Sequence, residues 1–116
     1  FIGLVANHQS ASLASEVLCR ARQLRHVPPV VALQCYFGVE RWLPDLYRSD
    51  HAPFWWAGIP AVMWTDTANF RNPHYHRPSD LPSTLDYAFM ARVTNLLHKV
   101  LVSAEAAKSS AKQLSA

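Results

Sequence analysis

Residues 1–37, FIGLVANHQSASLASEVLCRARQLRHVPPVVALQCYF, decide the fold. Phe1–Ala6 is a short apolar run closed by Asn7, the pattern of a buried strand. Leu13, Val17, Leu18, Ala21 and Leu24 then recur at helical spacing, with Arg20, Arg22 and Arg25 mostly on the other side. Ser10 or Ser12 is suited to cap that helix, and Pro28-Pro29 ends it. Val30–Phe37 is a second strand, nearly continuous in apolar residues. Such continuity suits a parallel strand covered on both faces.

Working outward, Gly38–Arg48 is a loop, and Ser49 or Asp50 can accept a hydrogen bond from the first turn of a short helix. Pro53 is tolerated in that turn and Gly58 suits its end. Ile59–Thr65 reads as a third strand, followed by a polar loop from Asp66 to Pro82. Ser83-Thr84-Leu85-Asp86 has capping-box spacing, with Asp a shorter version of the usual Glu. Phe89, Met90, Val93, Leu96, Leu97, Val100, Leu101 and Ala104 then form one helical stripe. Beyond about Ala107 the chain is polar and small, a tail expected to fray. The order strand–helix–strand–short helix–strand–helix predicts an α/β fold with helices on the faces of a mostly parallel sheet. In such sheets the site gathers at the carboxyl ends of the strands, here Asn7-His8, the segment after Phe37 and the loop after Thr65.

Composition narrows the function. Of 116 residues half are hydrophobic and 16% are charged, which excludes a disordered chain. The net charge of +3 is spread over scattered arginines, with no basic stripe of the kind that tracks nucleic acid. The two cysteines, Cys19 and Cys35, lack metal-binding spacing and read as buried free thiols. No apolar run approaches the roughly 20 residues of a membrane span, and the opening residues, without a basic n-region, do not read as a signal peptide. An opening straight into an apolar strand reads as a cut through a longer protein.

Two segments carry chemistry: Ser49-Asp50-His51-Ala52-Pro53-Phe54-Trp55-Trp56-Ala57-Gly58-Ile59-Pro60-Ala61, and Asn72-Pro73-His74-Tyr75-His76-Arg77-Pro78-Ser79-Asp80 running on to Leu85-Asp86-Tyr87. Together they resemble the signature blocks of di-zinc aminopeptidases, whose relatives include glutamate carboxypeptidases and glutaminyl cyclases. The resemblance covers roughly residues 1–102. It implies the C-terminal part of a three-layer, phosphorylase/hydrolase-like sandwich, with residues 1–107 belonging to the catalytic domain and 108–116 to a flexible tail.

By the same resemblance, His76 matches the family's last zinc ligand, with Asp50 or Asp80 as the acceptor that fixes its tautomer. Tyr75 matches a hydrogen-bond donor to the developing oxyanion, a role typically worth about 3 kcal/mol. Ser49, Asp50 and His51 would line the site, walled or backed by Phe54, Trp55 and Trp56. Of the adjacent tryptophans, one is expected in the core and the other at the surface. His76 also has a plain reading as a loop histidine, and Asp50 as a helix cap.

The departures weigh as much as the matches. A two-zinc centre needs about five ligands and a general base. The upstream His-x-Asp, Glu-Glu and Asp elements have no counterpart here. The resemblance therefore implies hydrolysis of N-terminal peptide bonds only in an intact protein, with the missing N-terminal half supplying the remaining ligands. Alternatives are a non-catalytic binding or accessory domain on the same fold, a glutaminyl cyclase-like transferase, and a homodimer paired through an exposed sheet edge.

Overall fold

The computed structural model describes residues 1–114, with side chains described through residue 106 and at Gln113. Six regular elements follow the expected order: β1 (Ile2–Ala6), α1 (Ala11–Arg22), β2 (Val30–Gln34), α2 (Ala52–Trp56), β3 (Met63–Thr65) and α3 (Tyr87–Leu114). The three strands form one sheet in the order β2-β1-β3. β1 and β2 are parallel, in register from Ile2 opposite Val30 to Ala6 opposite Gln34. α1 supplies the crossover that parallel neighbours need.

β3 runs antiparallel to β1, pairing Gly3 with Thr65 and Val5 with Met63. The sheet is therefore mixed rather than mostly parallel. The reason lies in the connection. α2 has only five residues, spanning roughly 8 Å. The chain therefore stays at the carboxyl end of β1, where the Ser10 hydroxyl accepts from the Ala61 N–H at 3.0 Å and the Trp55 indole donates to the Ala61 carbonyl at 2.8 Å. β3 enters from that end and must run back. Its outgoing loop thus lies at the amino end of β1, away from Asn7-His8 and Phe37, so the three strand ends do not gather at one place.

The core lies on one face of the sheet. Ile2, Leu4 and Ala6 point into Ala14, Val17 and Ala21 of α1 and into Leu96 and Val100 of α3, with Leu4 and Leu96 fully enclosed. The opposite face carries Val5 and its register partners Leu33 and Met63. There β2 is an edge strand, and Val31 and Leu33 remain 52% and 49% exposed. The described residues therefore make two layers, one sheet and one helical, and β2 is not covered on both faces.

Several ends differ from the sequence reading. β2 stops at Gln34, and Phe37 sits fully exposed at a positive φ of 60°. Asn7, not a serine, caps the turn into α1 by accepting from the Ser10 N–H at 3.0 Å. α3 starts at Tyr87, three residues later than a Ser83 cap would set it, with the Asp86 carboxylate accepting from the Phe89 N–H at 2.8 Å. It continues through the expected tail to Leu114, and residues 115 and 116 lie outside the described residues. Both cysteines are free, but Cys19 is exposed on α1 and only Cys35 is buried.

Candidate active-site cleft

Against the second face of the sheet lies a cleft of about 320 Å3. Its floor is Val5, Leu33 and Met63, one residue from each strand, brought side by side by the register. Its wall is Phe70, and its polar rim holds Arg48, Ser49, Asn69 and Tyr75. The Arg48 guanidinium donates to Asp45 at 2.8 Å and to Asn69 at 3.2 Å. The hydrogen bond to Asp45, and to a smaller degree the neighbouring Tyr75 hydroxyl, hold Arg48 above the ordinary arginine value. A cation and a phenol thus meet at the mouth of an apolar slot.

The loop that carries Tyr75 is held by local backbone turns and, at its start, by side-chain hydrogen bonds. Thr67 and Ala68 both take positive φ values, 76° and 43°, a costly conformation for residues with a Cβ. Two short bonds compensate: the Thr65 hydroxyl accepts from the Thr67 N–H, and the Asp66 carboxylate from the Ala68 N–H, each at 2.8 Å. Arg71 then ties the loop to the sheet. Its Nε donates to the Asp66 carbonyl and the Thr67 hydroxyl, and its guanidinium reaches the Phe1 carbonyl at 3.1 Å while lying 4.1 Å from the Phe1 ring centroid.

Past Arg71 the chain folds into consecutive turns. The Asn72 side chain accepts from the His74 N–H at 2.9 Å, and His74 Nδ1 lies 3.1 Å from the Ser79 hydroxyl. His74 faces a separate groove beside Phe89 and Asp86, while Tyr75 faces the cleft. His76 takes a φ of 57° and stacks its ring on Tyr75, with centroids 4.0 Å apart and planes at 13°. The imidazole is exposed and does not line the cleft.

The structure brings together only some of the residues singled out from sequence. Ser49 and Tyr75 share the cleft, with His76 stacked behind Tyr75. Asp50 and Asp80 are exposed, and among the described residues neither hydrogen-bonds to the His76 ring. Asp50 makes no cap, since the short helix begins on a Ser49 carbonyl accepting from the Ala52 N–H. Phe54 is half exposed. His51 turns inward: its Nε2 lies 2.6 Å from the Leu46 carbonyl and its ring packs edge-on to Trp55, with centroids 4.4 Å apart. The tryptophans divide as expected, Trp55 buried and Trp56 71% exposed. Among the described residues no three His, Cys, Asp or Glu side chains are grouped to hold a metal ion. Sequence reasoning missed Arg48, Asn69, Phe70 and Arg71. The Arg48 signal was its place beside Ser49, in the one loop that faces back toward Tyr75.

Comparison with known proteins gives two findings. The sequence model of peptidase family M28 matches residues 20–101, a span that holds every site residue named above from Arg48 to Asp80. The uncharacterized protein YfbL of Escherichia coli (strain K12) is 44% identical over 54 residues, a match covering 47% of this chain and 17% of that protein. The chain therefore spans a small part of the length of that curated relative. No solved structure matches significantly.

Proposed function

The chain belongs to peptidase family M28, and on that premise we propose that it is the C-terminal part of a zinc-dependent aminopeptidase. The observation that carries this reading is the Tyr75 cleft. Its apolar floor of Val5, Leu33 and Met63 suits a hydrophobic side chain of a peptide. A peptide carbonyl entering over this floor would meet the Tyr75 hydroxyl and the Arg48 guanidinium, which line the rim. A hydroxyl aimed at such an oxygen stabilises the negative charge that develops there during hydrolysis, and does so best where water is excluded. Ser49 borders the same rim and helps orient the peptide backbone.

The residues present do not by themselves fit a zinc centre. His76 offers one imidazole, exposed and stacked on Tyr75, and a catalytic zinc takes three protein ligands. No hydrolytic step through a metal is therefore assigned to this chain. In the intact protein, His76 is proposed as one ligand, with Asp50 or Asp80 as the acceptor that orients it. The other ligands and the general base come from outside these 116 residues. That same outside part is the partner expected to cover the second face of the sheet.

The test is made on the protein read from its full gene. With zinc it is expected to hydrolyse leucine p-nitroanilide, and H76A is expected to lose both a bound zinc and turnover. The 116-residue chain is expected to do neither. Full-length protein that binds zinc equally well after H76A, or tight stoichiometric zinc with turnover in the 116-residue chain, would sink the assignment. Zinc binding without hydrolysis but with cyclisation of N-terminal glutamine would point to the transferase relatives instead. A full-length protein without zinc or turnover would leave an accessory domain.

A further inference from the structure

At the other end of the sheet, beyond the carboxyl ends of β1 and β2, lies a second pocket of about 450 Å3, a volume within the range of small-molecule sites. Glu40 lines it. This side chain is only 7% exposed, and its Oε2 is buried with no hydrogen-bond partner among the described residues. A buried carboxylate oxygen with neither a donor nor a counter-ion is costly, so its presence asks for a partner. The Glu40 charge is felt by its neighbours: after burial itself, it is the next cause that pushes the Cys35 thiol and the Tyr47 hydroxyl above their ordinary values.

The rest of the pocket has complementary chemistry. Tyr47 and Trp56 stack at 5.9 Å with planes at 7°, and Trp55 meets Tyr47 edge-on at 5.7 Å, so three aromatic rings form a continuous wall. Aromatic faces favour cations and cover apolar groups equally well. Arg41, next in the chain to Glu40, also lines the pocket. It is exposed and forms no ion pair among the described residues. A buried carboxylate oxygen without a partner and a cation without an ion pair, on consecutive residues, therefore line the same pocket as the aromatic wall. His8, the remaining titratable group of the lining, packs edge-on against Tyr36 with ring centroids 5.7 Å apart.

We propose that this pocket binds a free α-amino acid with an apolar side chain. Its ammonium faces Glu40, its carboxylate faces Arg41, and its side chain lies on the Tyr47–Trp56 wall. The site is separate from the Tyr75 cleft, which lies against the second face of the sheet and shares no lining residue with it. The proposal does not depend on peptide hydrolysis. An amino acid is nonetheless what an aminopeptidase releases, so a filled pocket would report product.

The experiment is titration of the isotope-labelled chain, watching the indole N–H signals of Trp55 and Trp56. Three probes separate the charges: L-leucine carries both, isoamylamine only the ammonium, and isovalerate only the carboxylate. Leucine is expected to give saturable shifts, isoamylamine weaker ones, and isovalerate the least. E40Q is expected to weaken leucine and isoamylamine about tenfold or more, the loss of a charged hydrogen bond. R41A lies at the surface and is expected to weaken leucine but not isoamylamine. Should E40Q fail to fold, the order of the three probes and the R41A result still decide. No saturable shift at millimolar leucine, isovalerate binding as well as the amine, or leucine binding unchanged in R41A would overturn the proposal.

Discussion

Arg71 is the residue on which the Tyr75 loop depends most directly. It joins the Asp66 carbonyl, the Thr67 hydroxyl and the Phe1 carbonyl, and so holds two positive-φ residues against the start of β1. R71A should cost about 1–2 kcal/mol, since each exposed bond contributes about 0.5–1.5 kcal/mol and water replaces part of the loss. Urea denaturation would measure it, and exchange of the Thr67 and Ala68 amides should speed up with it. Cys35 offers a different check. Burial raises its thiol first, and Glu40 adds to the rise. The neutral thiol is therefore favoured in the folded state. Its contribution to stability is complete below the ordinary thiol value and is lost as pH climbs through the raised one. Iodoacetamide near neutral pH should accordingly modify the exposed Cys19 well before Cys35, and equal rates would count against the packing described.

Elements show where the sequence was legible. The periodicities of residues 1–37 and 89–104 carry the hydrophobic face directly, so β1, α1, β2 and α3 were readable. Element ends were less so, because capping depends on which side chain finds the orphan N–H groups. Asp86 does so for α3, though capping-box spacing pointed to Ser83. D86A should destabilise the protein by about 1 kcal/mol, the usual loss for a carboxylate N-cap. The direction of β3 was not readable either, since it depends on a connection anchored by contacts between Trp55, Ser10 and Ala61. Gly3 records that pairing. A Cβ there would meet the Thr65 side chain and carbonyl, both at 3.1 Å, so G3A should strain β1 against β3 and cost about 1–3 kcal/mol in the same denaturation assay. Of the candidate site, the Tyr75 and Ser49 positions were legible as motif blocks. The inward turn of His51 was not, because it follows from a carbonyl in the preceding 3-10 turn.

At the scale of the whole molecule, the shape itself carries information. The radius of gyration is 16.2 Å and the shortest dimension 19 Å, whereas a closed domain of this length would have a radius near ~13 Å. A long α3 accounts for part of the difference. The rest is a sheet whose second face is covered only in part, by the loops of the Tyr75 cleft over Val5, with β2 at its edge and Val31 and Leu33 half exposed. Edge strands with apolar side chains and free backbone groups recruit another strand or another surface. In a longer protein that surface is proposed to come from the remainder of the chain. The 116-residue chain lacks such a cover, so it should self-associate through β2, forming the homodimer that an exposed edge permits. Sedimentation equilibrium should then show a mass rising with concentration. L33K places a charge on the exposed face of that edge strand and should return the mass to one chain, while Leu96→Ala on the buried face should instead lower stability by about 2–5 kcal/mol without dissolving the association. A chain that stays monomeric at high concentration, or that associates equally well with Lys at position 33, would show that the second face is protected in some other way.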